Sequence, residues 1–181
     1  MRHFKAVADP SAASSQAAVP TLTLTPLFFP SKESFLRILR VFRDAEATID
    51  VAVYNLTENA VRDELAKAHR YGVRVRVITD QDNLDEGRGA DGKYLARQGV
   101  QVRVLGEKPT DRGDGFARYK LMHNKFIIAD RSTLVTGSLN LTRSATRSNN
   151  ENMLIVEGAT LSAVKAYEEH FEMLWRKAKA L

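Results

Sequence analysis

Cysteine is absent from this sequence, and so is any long run of apolar residues. Without cysteine the chain can form neither disulfide bonds nor thiolate metal sites. The composition is compatible with an oxidising or a reducing compartment. A membrane span needs about 20 consecutive apolar residues, and a secretory signal needs an unbroken apolar core behind its basic residues. Because the sequence contains neither pattern, we expect no transmembrane segment and no secretory signal.

The first 25 residues differ in composition from the rest of the chain. Ala, Ser and Pro dominate residues 6–20, so this stretch cannot bury enough apolar surface to offset the entropy of ordering. We predict a flexible segment over residues 1–25 and a single folded domain over residues 26–181. The Ser/Ala-rich start leaves an organelle transit peptide open, although a cytoplasmic location is favoured.

Beyond this segment, strand and helix patterns alternate along the chain. Residues 48–54 are mostly apolar, which predicts a central buried strand. Residues 73–79 and 100–104 alternate with period two, which predicts sheet strands with one polar face. Ser31 is the predicted N-cap of a helix before the strand at 48–54, and Thr57 is the predicted N-cap of the helix after it. The alternation indicates an α/β fold with helices packed on a sheet.

An acidic stretch over residues 80–87 at first sight resembles a calcium-binding loop. The spacing fails, because Asp85 stands at the sixth position, where the calcium loop requires glycine. We therefore interpret the stretch as a solvated acidic loop and predict no metal site.

The most informative block of the chain lies between residues 123 and 140. Its chemistry-bearing residues are His123, Lys125, Asp130, Gly137, Ser138 and Asn140. Histidine can act as a nucleophile or an acid, and lysine and asparagine can hold phosphate oxygens. The apolar run at 126–128 and the β-favouring run at 133–136 predict two strands joined by a turn. Strand alternation then directs His123 and Lys125 to one face, as phosphodiester cleavage would require.

These six positions resemble the signature of the phospholipase D superfamily, H-x-K-x4-D-x6-G-S-x-N, which is met in full. Residues 50–57 and 150–156 resemble the flanking strands of its small single-motif members, a branch that includes bacterial endonucleases and cardiolipin hydrolases. The resemblance covers roughly residues 26–178. It implies a mixed β-sheet flanked by helices, the α-β-α sandwich of that superfamily.

The resemblance also implies roles for the motif residues. His123 is expected to attack phosphorus and form a phosphohistidine, while Lys125 and Asn140 hold the phosphate. Ser138 is expected to donate a supporting hydrogen bond, and Gly137 to permit close backbone approach.

Two carboxylates complete the expected catalytic set. Asp130 is expected to fix the turn rather than to take part in the chemistry. Glu151 matches the acidic residue that accepts a hydrogen bond from the catalytic imidazole in nuclease-like members, which would set the tautomer and raise its basicity. No metal and no cofactor are implied.

A single copy of the motif supplies a single imidazole. If His123 is the nucleophile, a second histidine must protonate the leaving oxygen and later activate water. The economical solution is a homodimer in which His123 of each chain faces the other across a two-fold axis. The resemblance implies the same arrangement, since single-motif members build one site from two chains.

The substrate is less well defined by the sequence. Residues 106–150 carry eight basic and four acidic residues, an excess of four positive charges around the motif. The basic ones are Lys108, Arg112, Arg118, Lys120, Lys125, Arg131, Arg143 and Arg147. Of these, Arg118, Lys120 and Arg143 are candidate substrate-binding residues, with Phe116 and Tyr119 interleaved for base stacking. This pattern favours a nuclease.

Two alternatives remain open. The first is a phospholipase D acting on a lipid such as cardiolipin, for which an exposed apolar patch would be expected. Five apolar residues near the start of the domain could offer one, although they more naturally form the first strand: Leu22, Leu24, Leu27, Phe28 and Phe29. The second alternative is an inactive nucleic-acid-binding scaffold, against which the intact motif argues.

Overall fold

The computed structural model describes residues 22–81, 90–110, 118–158 and 162–181. The strands in these ranges are β1 (Thr23–Phe29), β2 (Thr48–Val53), β3 (Arg74–Asp80), β4 (Gln101–Thr110), β5 (Arg118–Leu121), β6 (Lys125–Ala129), β7 (Thr133–Gly137), β8 (Glu151–Glu157) and β9 (Lys179–Ala180). The helices are α1 (Lys32–Asp44), α2 (Asn59–Arg70), α3 (Ala90–Arg97), α4 (Arg143–Arg147) and α5 (Ser162–Lys177).

The strands form one mixed sheet in the order β1-β8-β7-β6-β2-β3-β4-β5, with β9 beside β4. Strands β2, β3 and β4 are parallel to one another, and the remaining pairs are antiparallel. Apolar residues of α1, α2 and α3 share a buried cluster with one face of the sheet, and those of α5 share a second cluster with the other. The predicted α/β fold, a mixed sheet flanked by helices, is confirmed.

Side-chain caps fix the starts of α1 and α2. Ser31 Oγ accepts from Ser34 N at 3.2 Å, so the predicted cap of α1 is confirmed. The predicted cap of α2 is wrong by one residue, because the cap is Glu58, whose carboxylate accepts from Ala60 N at 3.4 Å. Thr57 instead donates its backbone N–H to Leu141 O at 2.9 Å, which ties this loop to the end of the motif.

The first strand begins three residues before the expected domain start at residue 26. Strand β1 pairs with β8 in an antiparallel register that runs from Thr23↔Glu157 to Phe29↔Glu151. Residues 23–25 therefore belong to the sheet. Residues 1–21 of the predicted flexible segment lie outside the described part of the chain.

The strand predicted for residues 73–79 is confirmed as β3, but its polar face is exposed only at Arg74, because α5 covers Arg76. Arg76 is only 7% exposed and donates from Nε and Nη2 to the two carboxylate oxygens of Asp50, both at 2.7 Å. Its Nη2 also donates to Glu172 of α5 at 2.7 Å. A buried arginine needs such partners, and these lie 26 and 96 positions away in the chain.

The acidic stretch interpreted as a solvated loop falls almost wholly at residues 82–89, outside the described ranges. Of the helices that the structure describes, none is long and apolar enough to cross a membrane.

Candidate active site

The motif begins on a segment that crosses the carboxyl ends of β2 and β3. Met122 N donates to Asp80 Oδ2 at 2.6 Å, and Tyr54 N donates to Asn124 O at 3.0 Å. Asp80 is the last residue of β3 and is 1% exposed, and Tyr54 follows β2. The ends of neighbouring parallel strands form the usual crevice for sites in open α/β sheets. His123 is therefore anchored at the carboxyl ends of β2 and β3. We call this region, with Tyr54, Asp80 and residues 122–125, the site edge.

The structure brings His123 and Lys125 together, as predicted, although His123 lies just before β6 rather than on a strand. Lys125 Nζ lies 3.2 Å from Nδ1 and 3.3 Å from Nε2 of the imidazole, and it donates to His123 O at 3.1 Å. The ring of Tyr54 completes the cluster, with its centroid 5.1 Å from that of the imidazole and 5.7 Å from Lys125 Nζ. The imidazole itself is exposed, so a substrate phosphate can reach it.

Two effects act on the charge of Lys125. Burial lowers the pKa of its ammonium below the ordinary value, and the nearby Glu151 carboxylate opposes that shift. A phosphate bound beside Lys125 would add a second negative charge and favour the ammonium form further.

Ser138 and Glu151 face each other at the ends of β7 and β8. Ser138 Oγ donates to Glu151 Oε2 at 2.5 Å and accepts from Asn152 N at 3.1 Å, while Asn149 Nδ2 donates to Glu151 Oε1 at 3.4 Å. Both carboxylate oxygens thus have partners within the chain. The hydrogen bond from the His123 imidazole to Glu151 stays a prediction.

Gly137 allows two strands to approach closely. A Cβ at this position would lie 2.8 Å from both Cα and Sδ of Met153 on β8, closer than packed atoms can come. The absent side chain therefore serves the contact between β7 and β8, and this contact sets the position of Ser138 beside Glu151.

Asn140 carries a side-chain oxygen that is buried without a hydrogen-bond partner among the described residues. Its segment is held from both sides, because Leu141 N donates to Asn55 O at 3.1 Å and Leu141 O accepts from Thr57 N and Glu58 N. An unpaired buried polar atom calls for an explanation, and an incoming ligand or second chain would supply one.

Asp130 lies at the opposite end of β6 from Lys125, about 17 Å away by the rise of an extended strand. Its carboxylate accepts three backbone N–H groups, from Glu46, Ala47 and Thr48, each at 2.8 Å. Burial raises the pKa of this carboxyl, but the three amide donors outweigh that effect and hold the pKa below its ordinary value. The geometry gives Asp130 a structural role at the end of β6 that is remote from Lys125.

The basic residues around the motif are partly engaged by acids. Lys120 Nζ lies 2.9 Å from Glu107 Oε2, and Arg147 Nη2 lies 3.4 Å from Glu58 Oε1. Arg143 is exposed at the start of α4. The predicted base-stacking aromatics lie outside the described part of the chain, which includes neither Phe116 nor the side chains of Arg118 and Tyr119.

Tyr54 and Asp80 are site-edge residues that the motif does not contain. Each stands at the carboxyl end of an apolar strand, which is a sequence signal for a site in a parallel sheet. Within the described residues there is no group of three or more His, Asp or Glu side chains placed to hold a metal ion.

Comparison of folds supports this description. The crystal structure of a phospholipase D family member, Nuc from Salmonella typhimurium, superposes with a TM-score of 0.76 at 22% identity, covering 89% of this chain and 99% of that one. At this identity the likeness shows the fold.

Sequence comparison identifies the family. A protein named mitochondrial cardiolipin hydrolase from Xenopus tropicalis is 32% identical over 168 residues, which are 87% of this chain and 73% of the relative. The human protein of that name is 35% identical over 153 residues, 84% of this chain and 55% of its own length. The sequence model of the family described as "Cardiolipin synthase, PLD-like domain" matches residues 38–175 and so includes the whole motif. The chain therefore belongs to the phospholipase D superfamily and is a hydrolase of phosphodiester bonds.

Proposed function

We propose that this chain is a nuclease that cleaves nucleic-acid phosphodiesters through a phosphohistidine on His123, without metal, in a site shared by two chains. The observation that carries the proposal is the contact of Lys125 Nζ with both ring nitrogens, at 3.2 and 3.3 Å, on an exposed edge of the sheet. A nucleophile and a phosphate-binding cation are thus within reach of one phosphorus atom.

The reaction has two displacement steps. In the first, a ring nitrogen of His123 bonds to phosphorus while the bond to the leaving oxygen breaks, and a second imidazole, as imidazolium, gives that oxygen a proton. In the second, this imidazole takes a proton from water, whose oxygen displaces His123 from phosphorus. Lys125 and Asn140 neutralise and orient the non-bridging oxygens in both steps.

A second copy of the chain is the source of the second imidazole. The other histidines of the described residues are His69 on α2 and His170 on α5. The His170 ring packs 6.0 Å from that of Phe126, whose side chain lies on the opposite face of β6 from Lys125. A two-fold axis near His123 would bring the same residue of a partner to the opposite side of the phosphate. Metal independence is supported by the lack of cysteine and of a donor cluster in the described ranges.

Nucleic acid as the substrate is supported by the charge around the site. Lys120 and Arg147 are 74% and 53% exposed in their side chains. Exposed ion pairs contribute only about 0–1 kcal/mol each, so a polyanion can displace Glu107 from Lys120. Neighbouring phosphates of a polymer could then bind these residues and Arg143 while the scissile phosphate binds at His123.

We expect that neutralising the basic residues around the site will slow the hydrolysis of polymeric substrates only. Replacing Arg118, Lys120, Arg143 and Arg147 with glutamine should raise KM for an oligonucleotide at least about tenfold and flatten its salt dependence, because each lost phosphate contact removes about one unit of the salt slope. Hydrolysis of bis(p-nitrophenyl) phosphate, which has no neighbouring phosphates, should change little. The measurement is steady-state kinetics in excess EDTA at low and physiological salt.

The matched control replaces three exposed basic residues with glutamine, at the end of α2 and the start of β3, which is the end of that strand opposite Asp80: Lys67, Arg70 and Arg74. It should leave both substrates unaffected. Equal losses on the polymer and the small ester would assign the four residues to folding or assembly. Loss of all wild-type activity in EDTA, restored by magnesium or zinc, would contradict the metal-free mechanism.

A second candidate, hydrolysis of an anionic phospholipid, is favoured by the first strand. Leu27 and Phe29 of β1 are buried, but Leu22, Leu24 and Phe28 are 49%, 54% and 68% exposed. Four of the five residues thus lie in β1, as expected, and Leu22 directly precedes it. One face of this segment remains an apolar patch. Phe28 pairs with Asn152, beside Glu151, so the patch reaches the part of β8 that carries Glu151. The relatives named cardiolipin hydrolases point to the same class of substrate.

The nuclease and lipid hydrolase candidates differ in whether the apolar patch on β1 is needed for substrate binding. If lipid is the substrate, Leu24→Ser with Phe28→Ser should reduce co-sedimentation with cardiolipin vesicles and release of phosphatidic acid by about tenfold or more, because two apolar anchors are lost. Tyr71→Ser is the control, since Tyr71 is 79% exposed on another part of the surface. Oligonucleotide cleavage without lipid cleavage by the wild type would instead support the nuclease.

A further inference from the structure

Tyr54 ties together the segments that build the site edge. Its N–H donates to Asn124 O at 3.0 Å, and its carbonyl accepts from Asp80 N at 3.3 Å and from Thr79 Oγ1 at 3.1 Å. The residue is half-buried. Because its backbone is bound on both sides, the sheet determines where the ring lies.

The Tyr54 ring is placed against both reacting groups. Its plane is tilted 51° to the imidazole of His123 at a centroid distance of 5.1 Å, within the range of favourable aromatic pairs. The ammonium of Lys125 lies 5.7 Å from the same centroid, at the distance of a cation–π contact. One ring thus contacts the nucleophile and the phosphate-binding cation.

The neighbours of the imidazole must change during the reaction. A phosphate at His123 would draw the ammonium of Lys125 towards its oxygens, since these are stronger acceptors than a ring nitrogen. Tyr54 would then be the neighbour that stays against the imidazole. Its π face also favours the positive charge that the ring carries as imidazolium or phosphohistidine.

We propose that Tyr54 is a positioning residue, whose ring holds the imidazole of His123 and the ammonium of Lys125 in the arrangement needed for attack on phosphorus. This inference rests on the proposed hydrolysis at His123. Because the ring orients the reacting groups, its loss should lower kcat and leave substrate binding unchanged.

The experiment compares three substitutions at Tyr54 on bis(p-nitrophenyl) phosphate, which has no base or acyl chain for the ring to bind. Tyr54→Phe keeps the ring and should retain kcat within about twofold. Tyr54→Leu and Tyr54→Met keep apolar volume without a π face, and they should lower kcat about tenfold to a hundredfold with KM within about twofold. Thermal melting of each variant measures the folded fraction.

Tyr71→Leu is the matched control, because it removes an exposed tyrosine ring from the end of α2 and should leave both constants unchanged. A raised KM with unchanged kcat in Tyr54→Leu would overturn the proposal by making the ring a substrate contact. An equal loss in Tyr54→Phe would overturn it in favour of the hydroxyl group. Lower melting temperatures with normal kcat per folded molecule would reduce Tyr54 to a structural role.

Failure of the proposed hydrolysis can be distinguished from failure of the positioning role of Tyr54. A folded wild type that hydrolyses no phosphodiester would overturn the proposed hydrolysis itself. An active wild type with an equally active Tyr54→Leu variant would overturn only the positioning role.

Discussion

Substitution of His123 with asparagine should abolish phosphodiester hydrolysis, with kcat falling by a factor on the order of 10⁴ to 10⁶, as expected when a covalent nucleophile is removed. His123 is exposed and contacts Lys125 and Tyr54, so the loss should leave the melting temperature nearly unchanged. The measurement is steady-state hydrolysis of an oligonucleotide and of bis(p-nitrophenyl) phosphate, with His69→Asn as the control on α2.

The same substitution tests the covalent step. Wild-type protein quenched during turnover of a radiolabelled phosphodiester should carry acid-labile label, and His123→Asn should carry none. Label that persists in His123→Asn would move the nucleophile to another residue.

The proposed site built from two chains also predicts how variants combine. A mixture of His123→Asn and Lys125→Ala chains should not regain wild-type activity, because each mixed site still lacks one imidazole and one ammonium. Sedimentation should show a dimer. A monomer with full specific activity at nanomolar concentration would contradict a site built from two chains.

Substitution of Asp130 with asparagine should destabilise the fold by roughly 2–3 kcal/mol at neutral pH. The carboxylate accepts three backbone N–H groups at 2.8 Å, and hydrogen bonds to charged groups contribute about 1.5–3 kcal/mol each before allowance for their partial exposure. Urea unfolding gives the free energy directly. Activity per folded molecule should be retained, since Asp130 lies at the far end of β6.

The stability provided by Asp130 should depend on pH in a defined direction. Its folded-state pKa lies below the unfolded value of about 3.9, so the contribution is present above the unfolded pKa and is lost as pH falls through the folded pKa. The difference in unfolding free energy between wild type and Asp130→Asn should therefore shrink in acid.

Asp44→Asn is the control for this measurement, because Asp44 is an exposed carboxylate at the end of α1. It should change the free energy of unfolding by no more than about 0.5 kcal/mol. A loss of kcat in Asp130→Asn without a loss of stability would give Asp130 a chemical role that its position does not suggest.

Local sequence was sufficient for features that depend on short-range geometry. The meeting of His123 and Lys125 could be predicted from their spacing of two residues, although His123 lies just before β6 and not on a strand. Ser31 could be predicted as a cap because an N-cap bonds an amide three residues on. The strand and helix alternation likewise led to the α/β class.

Features set by distant contacts could not be predicted in this way. The burial of Arg76 depends on Asp50 and Glu172, which are brought to it by the strand order and by α5. Tyr54 reaches His123 only because the motif segment crosses the ends of two strands. The exposed face of β1 follows from its place at the edge of the sheet, which its own residues do not encode.

The pairing of β1 also has a consequence for synthesis on the ribosome. β1 ends the order of strands and its neighbour is β8, so Thr25 must wait for Ile155, 130 positions later, before its hydrogen bonds can form. The parallel core of β2, β3 and β4 needs far less of the chain. Until β8 emerges, the nascent chain presents an apolar strand with two unpaired edges, which is the kind of segment that other chains and chaperones capture. Translation rate between the two strands therefore governs how long this growing protein is prone to aggregation.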